Sequence, residues 1–361
     1  QELIAGKTSP QDKARAILEF LQDNLRYVSL SFGDNTVEPH PTKDIFNNRY
    51  GDCKDWSILA KQMLELAGIK ANIVLFNDEF AGDPQWGLPS IAAFDHVILE
   101  VIFADGKYFV DPQLKNYDFG QYPHNYTNAY LFVLEEEGSR FATIPYPSAE
   151  SVQNIIVVKA DVFDSGAAHY DVRARMNVDV SNAFRAMWDH LPQDGRDKFY
   201  EEIGAQYARG EKLEFPQLVG IEKRYGPVEL RFKVKVPQAY QATGDMIILS
   251  EPIDRYFPSP FTGEERTYPL FLPTESIIKI RVDYRMPPGY QVDHLPKDFE
   301  LKNDLNELVR LSAVKDDQVI TGFTYHLRRG RMPRERYSEV QKLWQEYYQK
   351  SRDAIILKKE R

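Results

Sequence analysis

A single cysteine, Cys53, stands in the 361-residue chain, directly after Gly51-Asp52 and at the predicted first turn of a helix. A helix N-terminus carries partial positive charge and unpaired backbone N–H groups. Both favour a thiolate, and the N–H groups can also hydrogen-bond the oxyanion of a tetrahedral intermediate. Two further residues complete a set capable of acyl-transfer chemistry. His96 opens a predicted strand and Asp111 closes the next, the two strands being joined by a turn at Asp105-Gly106. Antiparallel neighbours can set an imidazole beside a carboxylate. The imidazole then takes the thiol proton while the carboxylate fixes its tautomer. From position alone, the same residues also fit an inert buried thiol, a strand-end histidine and an Asp-Pro turn at Asp111-Pro112.

Such side chains need elements to hold them. Thr8 or Ser9 caps a first helix, Pro10 fits its first turn, and Ala14, Ile17, Leu18, Leu21 and Leu25 recur at helical spacing. Residues 27–32 read as a short extended run, 33–41 as a loop, and Thr42 or Asp44 as the start of a short helix. The helix opened by Cys53 carries Trp56, Leu59, Ala60, Met63 and Leu64 on one face and stops at Gly68. Strands are predicted at 69–76, 94–103 and 107–111, with a polar loop at 77–88 and an aromatic loop at 119–130. Asp52, Lys54 and Asp55 flank the thiol and read as a solvated first turn whose acids suit the helix dipole.

The composition shifts at Tyr146-Pro147-Ser148, so two domains are expected, 1–148 and 149–361. Beyond the shift, period-two runs at 155–163, 168–178, 228–236, 247–249, 277–284 and 319–327 predict antiparallel strands that pack as a sandwich. A helical stretch at 182–207 breaks at Pro192. A charged amphipathic helix at 333–354 closes the chain, with Tyr337, Val340, Leu343, Trp344 and Tyr347 as its apolar stripe.

Composition narrows the function classes. The chain has 45 basic and 54 acidic residues, a net charge of −9, which argues against a general nucleic-acid binder. Arg328, Arg329 and Arg331 are the one candidate basic patch. No stretch approaches the roughly 20 apolar residues of a membrane span. One cysteine excludes an intramolecular disulfide and a cysteine-rich zinc site. His40, His124, His169, His190, His294 and His326 are scattered without metal-ligand spacing, and no Gly-rich phosphate loop is present. No metal or cofactor is therefore expected. Asp161, Asp164 and Asp171 could suggest calcium, yet Asp164-Ser165-Gly166 is more simply a hairpin turn, and Asn125-Tyr126-Thr127 fits a glycosylation triplet of a kind that often arises by chance. With Gln1 first, the chain reads as a mature or trimmed fragment.

The run Asn48-Arg49-Tyr50-Gly51-Asp52-Cys53-Lys54-Asp55, followed by Leu59, Met63-Leu64 and Gly68-Ile69, resembles the nucleophile helix of the bacterial transglutaminase-like superfamily. Phe94-Asp95-His96-Val97 is similar to its histidine strand and Tyr108-Phe109-Val110-Asp111-Pro112 to its aspartate strand; Asn24-Leu25-Arg26-Tyr27-Val28 also fits. One departure is Gln113, where many members have Thr. The resemblance covers about residues 8–120 and implies Cys53 as nucleophile, His96 as base and Asp111 as orienting acid. It further implies an upstream oxyanion donor. Tyr27 and Asn47 are the candidates, Tyr27 reading otherwise as a packed aromatic. The expected fold is α+β, a cysteine-protease-like core followed by a mostly antiparallel β companion domain with extra helices. The expected function is thiol-dependent acyl transfer on a peptide, protein or other amide substrate, hydrolysis ahead of cross-linking. The alternative is a non-catalytic envelope scaffold. The resemblance also implies an extracytoplasmic setting; the residues themselves say nothing of compartment or oligomeric state.

Overall fold

A computed structural model describes residues 2–29, 37–77, 90–127, 129–145, 148, 151–208, 210–250, 261, 263, 265–272 and 274–360. Most of the expected loop at 77–88, much of the run 27–32 and of the loop 33–41, and most of the segment around 146–150 lie outside the described residues. By contact density the chain divides into two compact units, Gln1–Pro147 and Ser148–Arg361.

In the first unit the order is α1 (Pro10–Asn24), β1 (Arg26–Tyr27), α2 (Thr42–Asn48), β2 (Tyr50–Gly51) and α3 (Cys53–Leu66). There follow β3 (Lys70–Asn77), β4 (His96–Phe103), β5 (Gly106–Val110), β6 (Tyr130–Leu134) and β7 (Arg140–Thr143). The Ser9 side chain accepts from Asp12 N–H at the start of α1, and Gly68, at φ +79°, ends the turn after α3. Strands β3 to β7 form an antiparallel sheet in the order β5-β4-β3-β6-β7. Successive side chains point to opposite faces, and because the runs are nearly continuously apolar both faces are apolar. Ala71, Leu99 and Val101 pack with Trp56, Leu59, Ala60 and Leu64 of α3 and with the buried stripe of α1. Val74, Phe76, Ile98, Leu131 and Val133 form a second cluster with Phe109, Tyr126 and Ile144.

The sequence reading missed β6 and β7. The run Tyr130–Leu134 has no polar residue to mark alternation, because Leu131 and Val133 are buried while Leu134 is exposed. The predicted extended run after α1 yields, within the described residues, only the two-residue β1, paired in parallel with β2.

In the second unit come β8 (Gln153–Val162), β9 (Ala168–Arg175), α4 (Val178–His190), α5 (Gln193–Tyr207), β10 (Glu214–Val219) and β11 (Glu229–Val236). Next are β12 (Gln241–Thr243), β13 (Met246–Leu249), β14 (Leu270–Leu272), β15 (Ser276–Arg285), β16 (Tyr290–His294) and β17 (Phe299–Lys302). The chain closes with β18 (Asn306–Lys315), β19 (Gln318–Leu327), β20 (Gly330–Met332), α6 (Tyr337–Ser351) and β21 (Ile355–Lys359). Among the described residues, eight strands form one sheet in the order β10-β11-β9-β8-β15-β19-β18-β17, antiparallel except where β8 meets β15. Helices α4 and α5 pack Phe184, Trp188 and Phe199 on β9 and β11, while α6 packs Val340, Trp344 and Tyr347 on β18 and β19. Ile247, Leu249, Ile355 and Leu357, from the sheet β12-β13-β21-β16, pack with Ala160, Val162 and Val319.

Four expectations differ from the structure. The run 168–178 ends as a strand at Arg175, because Asn177 caps a helix, its side chain accepting from Val180 N–H at 2.9 Å. The helical stretch therefore begins at Val178 rather than 182, and it breaks at Pro192 as predicted. The closing helix ends at Ser351, and Ile355–Lys359 is a strand because it pairs with β13 and β16, partners too far away in sequence for local pattern to show. The basic patch dissolves: Arg328 is paired with Glu307, Arg329 is buried, and Arg331 lies over the Phe271 ring at 5.1 Å.

Candidate active site

The first turn of α3 is built by its two acids. Asp52 is the N-cap; its side chain accepts from Lys54 N–H at 3.2 Å and Asp55 N–H at 3.3 Å, while Asp55 accepts from Asp52 N–H at 3.2 Å. This is a reciprocal capping box with Asp at the third position. Asp55 also accepts from His40 N–H at 2.8 Å and lies 3.0 Å from His40 Nδ1. The turn is not solvated as the sequence suggested: Asp52 is 3% and Asp55 0% exposed. Two buried carboxylates are tolerable because each is hydrogen-bonded and Lys54 is ion-paired with Asp52. His40, one of the scattered histidines, thus ties the preceding segment to the helix that Cys53 opens. Gly51 is required on packing grounds, since a Cβ there would sit 2.6 Å from Asp55 Cβ.

Cys53 is half-buried at the first position of α3. The cap consumes the N–H groups of Lys54 and Asp55, which leaves the Cys53 N–H as the donor from this turn that the cap does not use.

His96 is the first residue of β4 and faces Phe76 across the pair with β3. Its Nε2 lies 2.7 Å from Asp111 Oδ2. Asp111 follows β5, is 7% exposed, and accepts two further hydrogen bonds: Gln113 N–H to Oδ1 at 2.9 Å and the Tyr126 hydroxyl to Oδ2 at 2.8 Å. Burial alone would lower the His96 pKa. The hydrogen bonds to Asp111 and Cys53 outweigh it, and His96 is pushed up to about 10. With Nε2 engaged by Asp111, Nδ1 is the nitrogen left for Cys53. The ring is held edge-on by Phe76, with centroids 5.7 Å apart, and by Tyr126 at 6.3 Å.

Of the three residues named from the sequence, His96 and Asp111 are joined at one end of the sheet, and Cys53 lies near enough to the His96 ring to raise its pKa. Of the two oxyanion candidates, Asn47 is exposed on α2. Tyr27, paired with Gly51 across β1 and β2, is 51% exposed rather than packed away. Its pKa is raised, first by partial burial and then by charge at Cys53, Asp52 and Asp111, so it stands in the field of the site. Sequence reasoning missed Tyr126, which lay in a segment read as an aromatic loop and a chance glycosylation triplet. Its side chain is committed to Asp111, in a short turn at His124–Tyr126 that only tertiary contacts define. Among the described residues, no group of three or more His, Cys, Asp and Glu is placed to hold a metal ion. His294 and His326 each pair with a carboxylate, Asp353 at 2.8 Å and Glu275 at 2.6 Å. No helix among the described residues is long and apolar enough to cross a membrane.

Comparison with known proteins agrees with this architecture. Residues 1–112 match the transglutaminase-like superfamily, and residues 245–357 match a domain of unknown function for which a structure has been solved. Among solved structures, the chain is similar to a candidate protease from Parabacteroides distasonis ATCC 8503. The match has a TM-score of 0.57 and 11% identity, over 99% of this chain and 54% of that one. At that identity the likeness is one of fold, and the chain spans about half the length of the protein it matches. No curated protein matches the chain. The transglutaminase-like resemblance read from the sequence is borne out for residues 1–112, and so is the α+β fold class, with mostly antiparallel sheets in the second unit.

Proposed function

We propose that the first unit is a thiol-dependent acyl-transfer centre that hydrolyses peptide or other amide bonds. The observation that carries this reading is the position of His96, its Nε2 2.7 Å from the Asp111 carboxylate and its ring close enough to Cys53 for the thiol to bear on its charge. In the proposed cycle Cys53 Sγ attacks the carbonyl carbon of the substrate. The oxyanion that forms is met by the Cys53 N–H and the Tyr27 hydroxyl. His96 passes its proton to the amine nitrogen as the C–N bond breaks, leaving a thioester on Cys53. Water, activated by the now neutral imidazole, resolves the thioester to a carboxylic acid. Asp111 keeps the ring in the required tautomer and stabilises the imidazolium. Hydrolysis is favoured over cross-linking because Cys53 is only half-buried, and water at about 55 M outcompetes amines unless a site excludes it.

The test is a fluorogenic peptide library turned over by the wild type and by Cys53→Ala, run with and without a labelled primary amine. Release of the reporter by the wild type, lost in Cys53→Ala, supports hydrolysis. Stable incorporation of the amine would replace it with cross-linking. Peptide binding without turnover in either form would favour a scaffold and refute the proposal.

A further inference from the structure

Asp111 Oδ2 is shared. His96 Nε2 approaches it at 2.7 Å and the Tyr126 hydroxyl donates to it at 2.8 Å, while Oδ1 is held by Gln113 N–H at 2.9 Å. The Tyr126 ring is itself pinned, its centroid 4.6 Å from that of Phe76, which also walls the imidazole. The hydroxyl is therefore aimed by packing. A donor on a carboxylate oxygen stabilises its negative charge and makes it a weaker partner for a second donor on the same atom.

We propose that Tyr126 is a positioning residue of the Cys53–His96–Asp111 site, drawing charge from Asp111 so that His96 holds less tightly the proton it must pass to the leaving amine. This deepens the hydrolytic reading above and rests on it. The chemical need is specific. In amide cleavage the C–N bond breaks only as His96 Nδ1 delivers a proton to the nitrogen, and an imidazolium locked too firmly to its carboxylate is a poor acid. Among the described residues, charge at Cys53 from α3 bears on His96, and Tyr27 from β1 stands in the field of Cys53, Asp111 and the Lys54-paired Asp52; Asp95 precedes His96 and the buried His124 stands two residues before Tyr126. Among the described residues, Tyr126 is the side chain, other than His96, that hydrogen-bonds to the Asp111 carboxylate.

The test separates proton delivery from nucleophilicity. Iodoacetamide alkylates Cys53 by forming S–C and breaking C–I; iodide leaves without a proton. Cys53 is the only thiol, so the label reports one site. In Tyr126→Phe the ring packing is kept and the donor removed. Turnover of the best fluorogenic peptide at pH 7 should fall about tenfold, the effect of losing one charge-assisted hydrogen bond. Alkylation at the same pH should stay within about twofold. The titration of the His96 ring, followed by NMR in a Cys53→Ala background, should move upward. With 3,5-difluorotyrosine at position 126, a stronger donor, it should move downward. The fluorinated protein also serves if Tyr126→Phe folds poorly. Turnover and alkylation falling together would make Tyr126 structural and overturn the proposal. So would no change in turnover, or a His96 titration that stays fixed or falls in Tyr126→Phe. If the wild type turns over no peptide, the hydrolytic reading fails, while the His96 titration still decides what Tyr126 does to Asp111.

Discussion

Replacing His96 with Gln should destabilise the first unit by an amount that depends on pH within a defined window. In the folded protein His96 is pushed up to about 10 by Asp111 and Cys53 against the cost of burial, from an ordinary value of 6.5. A group whose folded pKa is raised contributes stability that is complete below its unfolded pKa. That stability is lost as pH rises through the folded pKa. The contribution is therefore full below about pH 6.5, declines to about pH 10, and is absent above it. A shift of this size at 1.36 kcal/mol per unit sets a ceiling of about 5 kcal/mol. Gln can keep one hydrogen bond to Asp111, so the expected gap between wild type and His96→Gln is about 3 kcal/mol at pH 6 and close to zero at pH 10.5. Comparing two variants at each pH cancels the titration of groups that do not interact with His96. The assay is urea unfolding read from the methyl NMR signals of Ile98 and Leu99, which are buried in the first unit on the same strand as His96. A gap that is flat across this range, or that widens with pH, would mean that the folded protein holds His96 neutral, and the reasoning about the pair would fall.

Asp55→Ala removes the acceptor of Asp52 N–H and of both His40 donors, so urea unfolding should show a loss of about 3 to 5 kcal/mol; a loss under about 1 kcal/mol would mean the cap is dispensable. Gly51→Ala forces Asp55 out of its place, and both the melting temperature and the rate of Cys53 alkylation should drop; unchanged values would show that the turn yields without cost. Leu357→Ala, at a fully buried position of β21, should cost about 3 kcal/mol in the second unit, and a neutral result would argue that the last strand is not part of its core.

The elements that carry the candidate site were legible because they are written locally. The helix of Cys53 announces itself by apolar spacing and by Gly68, and the strands of His96 and Asp111 by alternation on either side of a turn. Those patterns determined the elements, and the likeness of their motifs to a known superfamily supplied the pairing of roles. Local pattern misjudged the acids around the thiol. Asp52 and Asp55 look like surface residues in the sequence and are buried, because their hydrogen-bond partners include His40, which no spacing rule connects to them.

Tertiary structure alone decided the rest. That His96 presents Nε2 to Asp111, that Tyr126 reaches the same oxygen from a segment read as a loop, and that Tyr27 stands exposed in the field of Cys53 all depend on side chains far apart in the chain. The last strand, Ile355–Lys359, is of the same kind: its propensity is ordinary, and it becomes a strand because β13 and β16 leave a place between them. Backbone periodicity is a property of neighbours along the chain and can be read from it. A hydrogen bond between distant side chains is a property of the closed fold, and composition does not encode which donor will reach which carboxylate.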